Sequence, residues 1–77
     1  MNIDRLVKMA NEISEFFAAE SAREQAAEDV AGHLRRFWDP RMRRQIIDYL
    51  RTEGGAGLSE LARHGVERLA AGDPPGA

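Results

Sequence analysis

The sequence predicts an all-α fold, a small single-domain bundle of three main helices plus a shorter C-terminal helix over residues 1–71, with a disordered tail at 72–77. Three observations point there. Apolar residues recur three and four apart in four separate segments, the spacing that gathers them on one helical face. The segments are divided by helix stop and start signals: Ser21-x-x-Glu24, Asp39-Pro40 and the glycine-rich run 54–57. Finally, 77 residues give one domain with a thin core, so the chain needs either regular helix packing or support from a partner.

Asn2 is the expected N-cap of a first helix running to Ala19, with Ile3, Leu6, Val7, Ala10, Ile13 and Phe17 at helical spacing. Adding Met9 and Phe16 widens the apolar arc to about 200°, more than one buried face requires. Those two residues either fold into the core or form a docking patch. Ser21 and Glu24 have the spacing of a capping box, in which each side chain satisfies a free N–H of the other's backbone. The second helix then carries Ala26, Ala27, Val30, Ala31, Leu34, Phe37 and Trp38 within an arc of about 140°. Asp39-Pro40 ends it and starts the third, since proline disfavours helical geometry in the preceding residue and suits the first helical position. Met42, Ile46, Ile47, Tyr49 and Leu50 form the expected buried face of this helix to Thr52. Gly54, Gly55 and Gly57 supply its left-handed termination. Ser59 caps a fourth helix to Ala71, with Leu61, Ala62, Val66 and Leu69 inward and Gly65 in the middle of that face, where close approach of another helix would explain it.

The segment His33 to Gln45 stands apart. It holds the single Trp and five of the eleven basic residues, Arg35, Arg36, Arg41, Arg43 and Arg44, against one acid, Asp39, in a chain of net charge −2. Arg35 and Arg36 fall in the last turn of the second helix, where positive charge suits the helix dipole. Arg41, Arg43 and Arg44 fall in the first turn of the third, where it does not. Such placement points either to an internal network with Glu12, Glu15 and Glu20 or to an intermolecular surface, Arg and Trp being the residues most enriched at binding hot spots. The expected contact comprises Phe37, Trp38, Arg41, Met42 and Arg44, flanked by Arg35, Arg36 and Arg43, with Met9 and Phe16 as a secondary patch.

Other chemistries lack their residues. Without cysteine there is no disulfide, thiolate or iron–sulfur ligation by this chain. His33 and His64 have no ligand partners at metal spacing; His33 is expected to be a hydrogen-bonded structural residue and His64 to be solvated. No catalytic constellation is present. The opening MNIDRL carries a charge pair where a signal peptide needs an apolar run, and no apolar stretch is long enough to span a bilayer, so a soluble cytoplasmic protein is expected. Two helices around a tight turn with a basic second helix also imitate a helix-turn-helix, the rival nucleic-acid-binding reading. Against it, Asp39-Pro40 is a short break and only three arginines lie on the supposed recognition helix. A homo-oligomer built by pairing the apolar shoulders is a third possibility.

The chain resembles a known family through Met9-Ala10-Asn11, Ile13 and Phe16-Phe17, then the long string from His33 through Trp38, Asp39 and Pro40 to Arg43, then Gly54-Gly55-Ala56-Gly57-Leu58. Over roughly residues 1–71 it is similar to the delta subunit of soluble NAD-dependent, molybdenum-containing formate dehydrogenases, departing at Glu12, where Gln is expected, and at Glu60, often Pro. The resemblance implies a cofactor-free, non-catalytic helical subunit. It would bind and stabilise the catalytic alpha subunit and assist its cofactor loading and assembly, in a hetero-oligomer with beta and gamma subunits. The bis-molybdopterin guanine dinucleotide, iron–sulfur clusters, FMN and NAD of such a complex would all reside on other subunits, and no membrane or nucleic acid partner is expected.

Overall fold

The amide side chain of Asn2 accepts the Asp4 N–H at 2.7 Å and opens helix α1, Ile3–Glu20, in the computed structural model, which describes residues 2–72. Leu6, Ala10 and Ser14, one turn apart, make its buried line. Ser14 is tolerated there because its hydroxyl donates to the Ala10 carbonyl at 2.8 Å. Ile3, Val7, Met9, Ile13 and Phe17 pack partly buried against the core, and Phe16 stays 59% exposed. The wide apolar arc is thus divided: Met9 belongs with the core, Phe16 with the surface.

Helix α2, Arg23–Phe37, starts without the expected capping box. Ser21 still closes α1, its N–H bonded to the Phe17 carbonyl at 2.9 Å, and the N-cap position falls one residue later on Ala22, which has no side-chain acceptor. The Ser21 hydroxyl donates instead to Asp29, two turns into α2, at 2.6 Å. Ala26, Ala27, Val30, Ala31 and Leu34 form the buried face as expected.

The aromatic pair that was to close this face is split. Phe37 is the last helical residue and is 70% exposed, while Trp38 leaves the helix in extended conformation (φ −90°, ψ 137°), which carries its ring into the core at 5% exposure. Asp39 then accepts the Met42 N–H at 2.9 Å and caps α3, Pro40–Glu53. Ile46 and Ile47 are buried there; Met42, Tyr49 and Leu50 are only partly so.

Gly54 ends α3 in the left-handed region at φ 70°. The glycine loop beyond it is held from α1 and α3. Asn11 donates to the Gly57 carbonyl and accepts the Ser59 N–H, each at 2.9 Å, and the Tyr49 hydroxyl donates to the Ala56 carbonyl at 2.7 Å. Ser59 accepts the Ala62 N–H at 3.2 Å and starts α4, Glu60–Gly72. The helix includes Gly72, one residue more than expected; the rest of the expected disordered tail lies outside the described residues. Ala62, Gly65, Val66 and Leu69 face inward, with Leu61 half-buried.

The broadest interface joins α2 to α4. Helix α1 lies across both, and α3 packs on α4 and α1. Although consecutive, α2 and α3 touch little, so their junction forms an open corner of the bundle.

Candidate protein-docking surface

That corner presents the arginines. Arg35 and Arg36 are exposed in the last turn of α2, and Arg41 in the first turn of α3 and Arg44 just past it are exposed too. Neither Arg41 nor Arg44 forms an ion pair among the described residues. The acids of α1 therefore do not neutralise these two. Ion pairs occur elsewhere, between Arg23 and Glu60 at 3.4 Å and between Arg68 and Glu28 at 2.6 Å, tying α2 to α4. Arg43 behaves differently from its neighbours: half-buried, it donates from Nη1 to the Arg35 carbonyl at 2.9 Å. Its charge thereby serves the C-terminal end of α2. Arg35 in turn lies beside Gly72 at the end of α4, a helix with no basic residue in its own last turn.

Of the expected contact residues, Phe37, Arg41 and Arg44 are at the surface with Arg35 and Arg36, Met42 is half-buried against the core, and Trp38 is removed from the surface. Trp38 can position Phe37 and Asp39 on either side of it, but its ring is not available for contact by this conformation of the chain.

Phe16, expected in a separate patch, is joined to this corner by residues that sequence reasoning had not assigned to a surface. The Phe16 and Phe17 rings meet edge to face at 5.1 Å, Phe17 and His33 at 6.1 Å, and His33 and Phe37 at 4.6 Å with a 40° tilt. His33 makes no hydrogen bond among the described residues, contrary to expectation; its ring is placed by aromatic contact. Only the i, i+4 spacing of His33 and Phe37 foretold this, because which face of α1 meets α2 is a property of the packing. Ile13, Phe16, Phe17, His33 and Glu12 line an open groove of about 380 Å³ along the run. His64, exposed as expected, lies elsewhere, over a depression between α2 and α4 near Arg23 and Glu60.

The Asp29 carboxyl is held below its ordinary value by the Ser21 hydroxyl and then by Gln25, with desolvation opposing. It lies outside this surface. Among the described residues no group of three or more His, Asp or Glu could hold a metal ion, and no helix is long and apolar enough to cross a membrane. The two-residue break at Trp38-Asp39 and the sparse α2–α3 packing also differ from a helix-turn-helix, whose helices meet around a turn of about 3–4 residues.

These features define a small all-helical module with an aromatic run that ends at Phe37 and exposed arginines on either side of the α2–α3 junction. Residues 5–66 match the family model described as NADH-dependent formate dehydrogenase delta subunit FdsD, and the chain belongs to that family. Comparison with individual curated proteins and with solved structures gave no match.

Proposed function

We propose that this delta subunit is a non-catalytic component of a cytoplasmic NAD-dependent formate dehydrogenase that docks on the molybdenum-containing alpha subunit, stabilises it and assists its cofactor loading and assembly. The beta and gamma subunits complete the hetero-oligomer. In this reading bis-molybdopterin guanine dinucleotide, iron–sulfur clusters, FMN and NAD are carried by those other subunits, and this chain contributes binding surface.

The observation that supports docking is Phe37, 70% exposed and set between Arg36 and Arg41. An aromatic ring left in water forgoes its own burial, and it recovers that stabilisation when a partner covers it. Because Phe37 and Arg41 contribute little to the core, their removal separates docking from folding, which Trp38 could not do.

The test is a tagged chain carrying Phe37→Ala and Arg41→Ala, expressed in its native cells and captured after nuclease treatment. The unmodified chain should bring down an alpha subunit with formate–NAD activity. The variant, with unchanged helix content and thermal midpoint, should lose it. Full co-purification of the folded variant would exclude this surface.

A further inference from the structure

Phe16 and Phe37 are the large hydrophobic residues left exposed among the described residues, at 59% and 70%. They occupy the two ends of one aromatic run through Phe17 and His33. Beside the Phe16 end lies the groove walled by Ile13, Phe16, Phe17 and His33, whose one charged wall is Glu12. Arg36 precedes Phe37 in the chain and Arg41 and Arg44 follow it at the start of α3, all three exposed, while the Arg35 guanidinium lies by Gly72. The surface is therefore polarised along its length, apolar at one end and cationic at the other.

We propose that it recognises an acidic segment of a partner polypeptide, which seats a large apolar side chain in the α1–α2 groove and lays carboxylates along the arginines beyond Phe37. The inference rests on the docking reading above and specifies the chemistry of what docks. Charge complementarity carries it. Arg41 and Arg44 are exposed and have no ion pair among the described residues, and Arg41 stands in the first turn of α3, where the helix dipole disfavours it, so an acidic partner relieves a cost the fold leaves in place.

A nucleic acid fits less well. Glu12 lines the groove, and Glu15 and Glu20 are exposed on the same helix, so a phosphate chain following the aromatic run would meet negative charge along α1. A peptide with its acids confined to one end avoids them. Aromatic anchors in an apolar slot, bordered by guanidinium groups that can take carboxylates bidentately, match the composition of protein-binding hot spots.

The experiment replaces Phe16 and, separately, Phe37 by the photo-crosslinking residue p-benzoylphenylalanine in the native complex, and identifies the attached peptide by mass spectrometry. Both positions should label one segment of one polypeptide, net acidic, with a large apolar residue at or next to the site joined to position 16. A neutral or basic segment, two different polypeptides, a second copy of this chain, nucleic acid, or no adduct from either position would overturn the proposal. An acidic segment on a subunit other than alpha would leave it standing and refute the docking target named above; a non-acidic segment on alpha would do the reverse. Independently, Phe16→Ser and Arg44→Glu should each lower retention in the complex at least about tenfold without lowering the thermal midpoint. Unchanged retention of Arg44→Glu would refute the charge argument.

Discussion

Gly65→Ala should destabilise this protein although it improves the helix in which it lies. Gly65 is buried in α4 where that helix meets α2. A Cβ added there would overlap the Val30 Cγ1 and come within 2.8 Å of its Cβ, with the Ala27 carbonyl oxygen at 3.7 Å. Val30 is 0% exposed, and a β-branched residue in a helix has essentially one comfortable χ1, so it cannot rotate aside. Relief requires α2 and α4 to move apart across the broadest interface in the fold. Overpacking of this kind costs about 1–3 kcal/mol, against a gain of ~1 kcal/mol in helix propensity. The net loss, up to about 2 kcal/mol, lowers the thermal midpoint of a domain this size by up to about 16 °C. Gly32→Ala is the control: Gly32 is interior to α2 and a Cβ there meets nothing within 4 Å, so propensity alone acts and the midpoint rises by about 4–8 °C. Thermal unfolding followed by circular dichroism reads both. In a double-mutant cycle, Val30→Ala combined with Gly65→Ala should be less damaging than the two losses added. If Gly65→Ala raised the midpoint as Gly32→Ala does, close helix approach would not be the reason for that glycine.

Two further outcomes follow from the helix ends. Asp39→Ala removes the acceptor for the Met42 N–H and should cost about 0.5–2 kcal/mol, while Asp39→Asn keeps the cap and loses only the negative charge at the positive end of α3, so its deficit should shrink as salt is added. At the α1–α2 junction the Asp29 carboxyl is held below its ordinary value near 3.8, first by the Ser21 hydroxyl and then by Gln25. A lowered folded-state pKa gives stability that is present above the unfolded value and is lost as pH falls through the folded one. Ser21→Ala should therefore lower the thermal midpoint at neutral pH, and its difference from the unmodified protein should shrink as pH falls from about 3.8 through the lower folded-state value, whereas an undiminished difference in acid would assign the effect to something other than Asp29 ionisation.

The helices and most caps were legible because their causes are local. Asn2, Asp39, Ser59 and Gly54 act within a few residues of themselves, and each acts as its position in the sequence implies. Ser21 failed for an equally local reason, since one residue of extra α1 took it out of register with the N–H groups of α2. Trp38 was misplaced because periodicity treats every residue as helical, and it is the departure from the helix at Trp38 that sends its ring inward and Phe37 outward. What periodicity could not reach was pairing: Asn11 clamping a loop 46 residues away, and Phe17 and His33 meeting across two helices to join Phe16 with Phe37.

The arginines illustrate how local electrostatics separates structural from functional charge. Arg36 faces the negative end of α2, and Arg35 serves both that end and the end of α4. Arg43 looks misplaced in the first turn of α3 until its guanidinium is followed to the Arg35 carbonyl, where it too stabilises the end of α2. Each such placement is favourable by about 0.3–1 kcal/mol. Arg41 and Arg44 have no such account. They stand at the positive end of α3, exposed and without an ion pair among the described residues, and Asp39 already serves the backbone as a cap. Neutral residues at these two positions would leave the fold no less stable. On the docking proposal their positive charge is met from outside the chain, by negative charge the bundle does not supply.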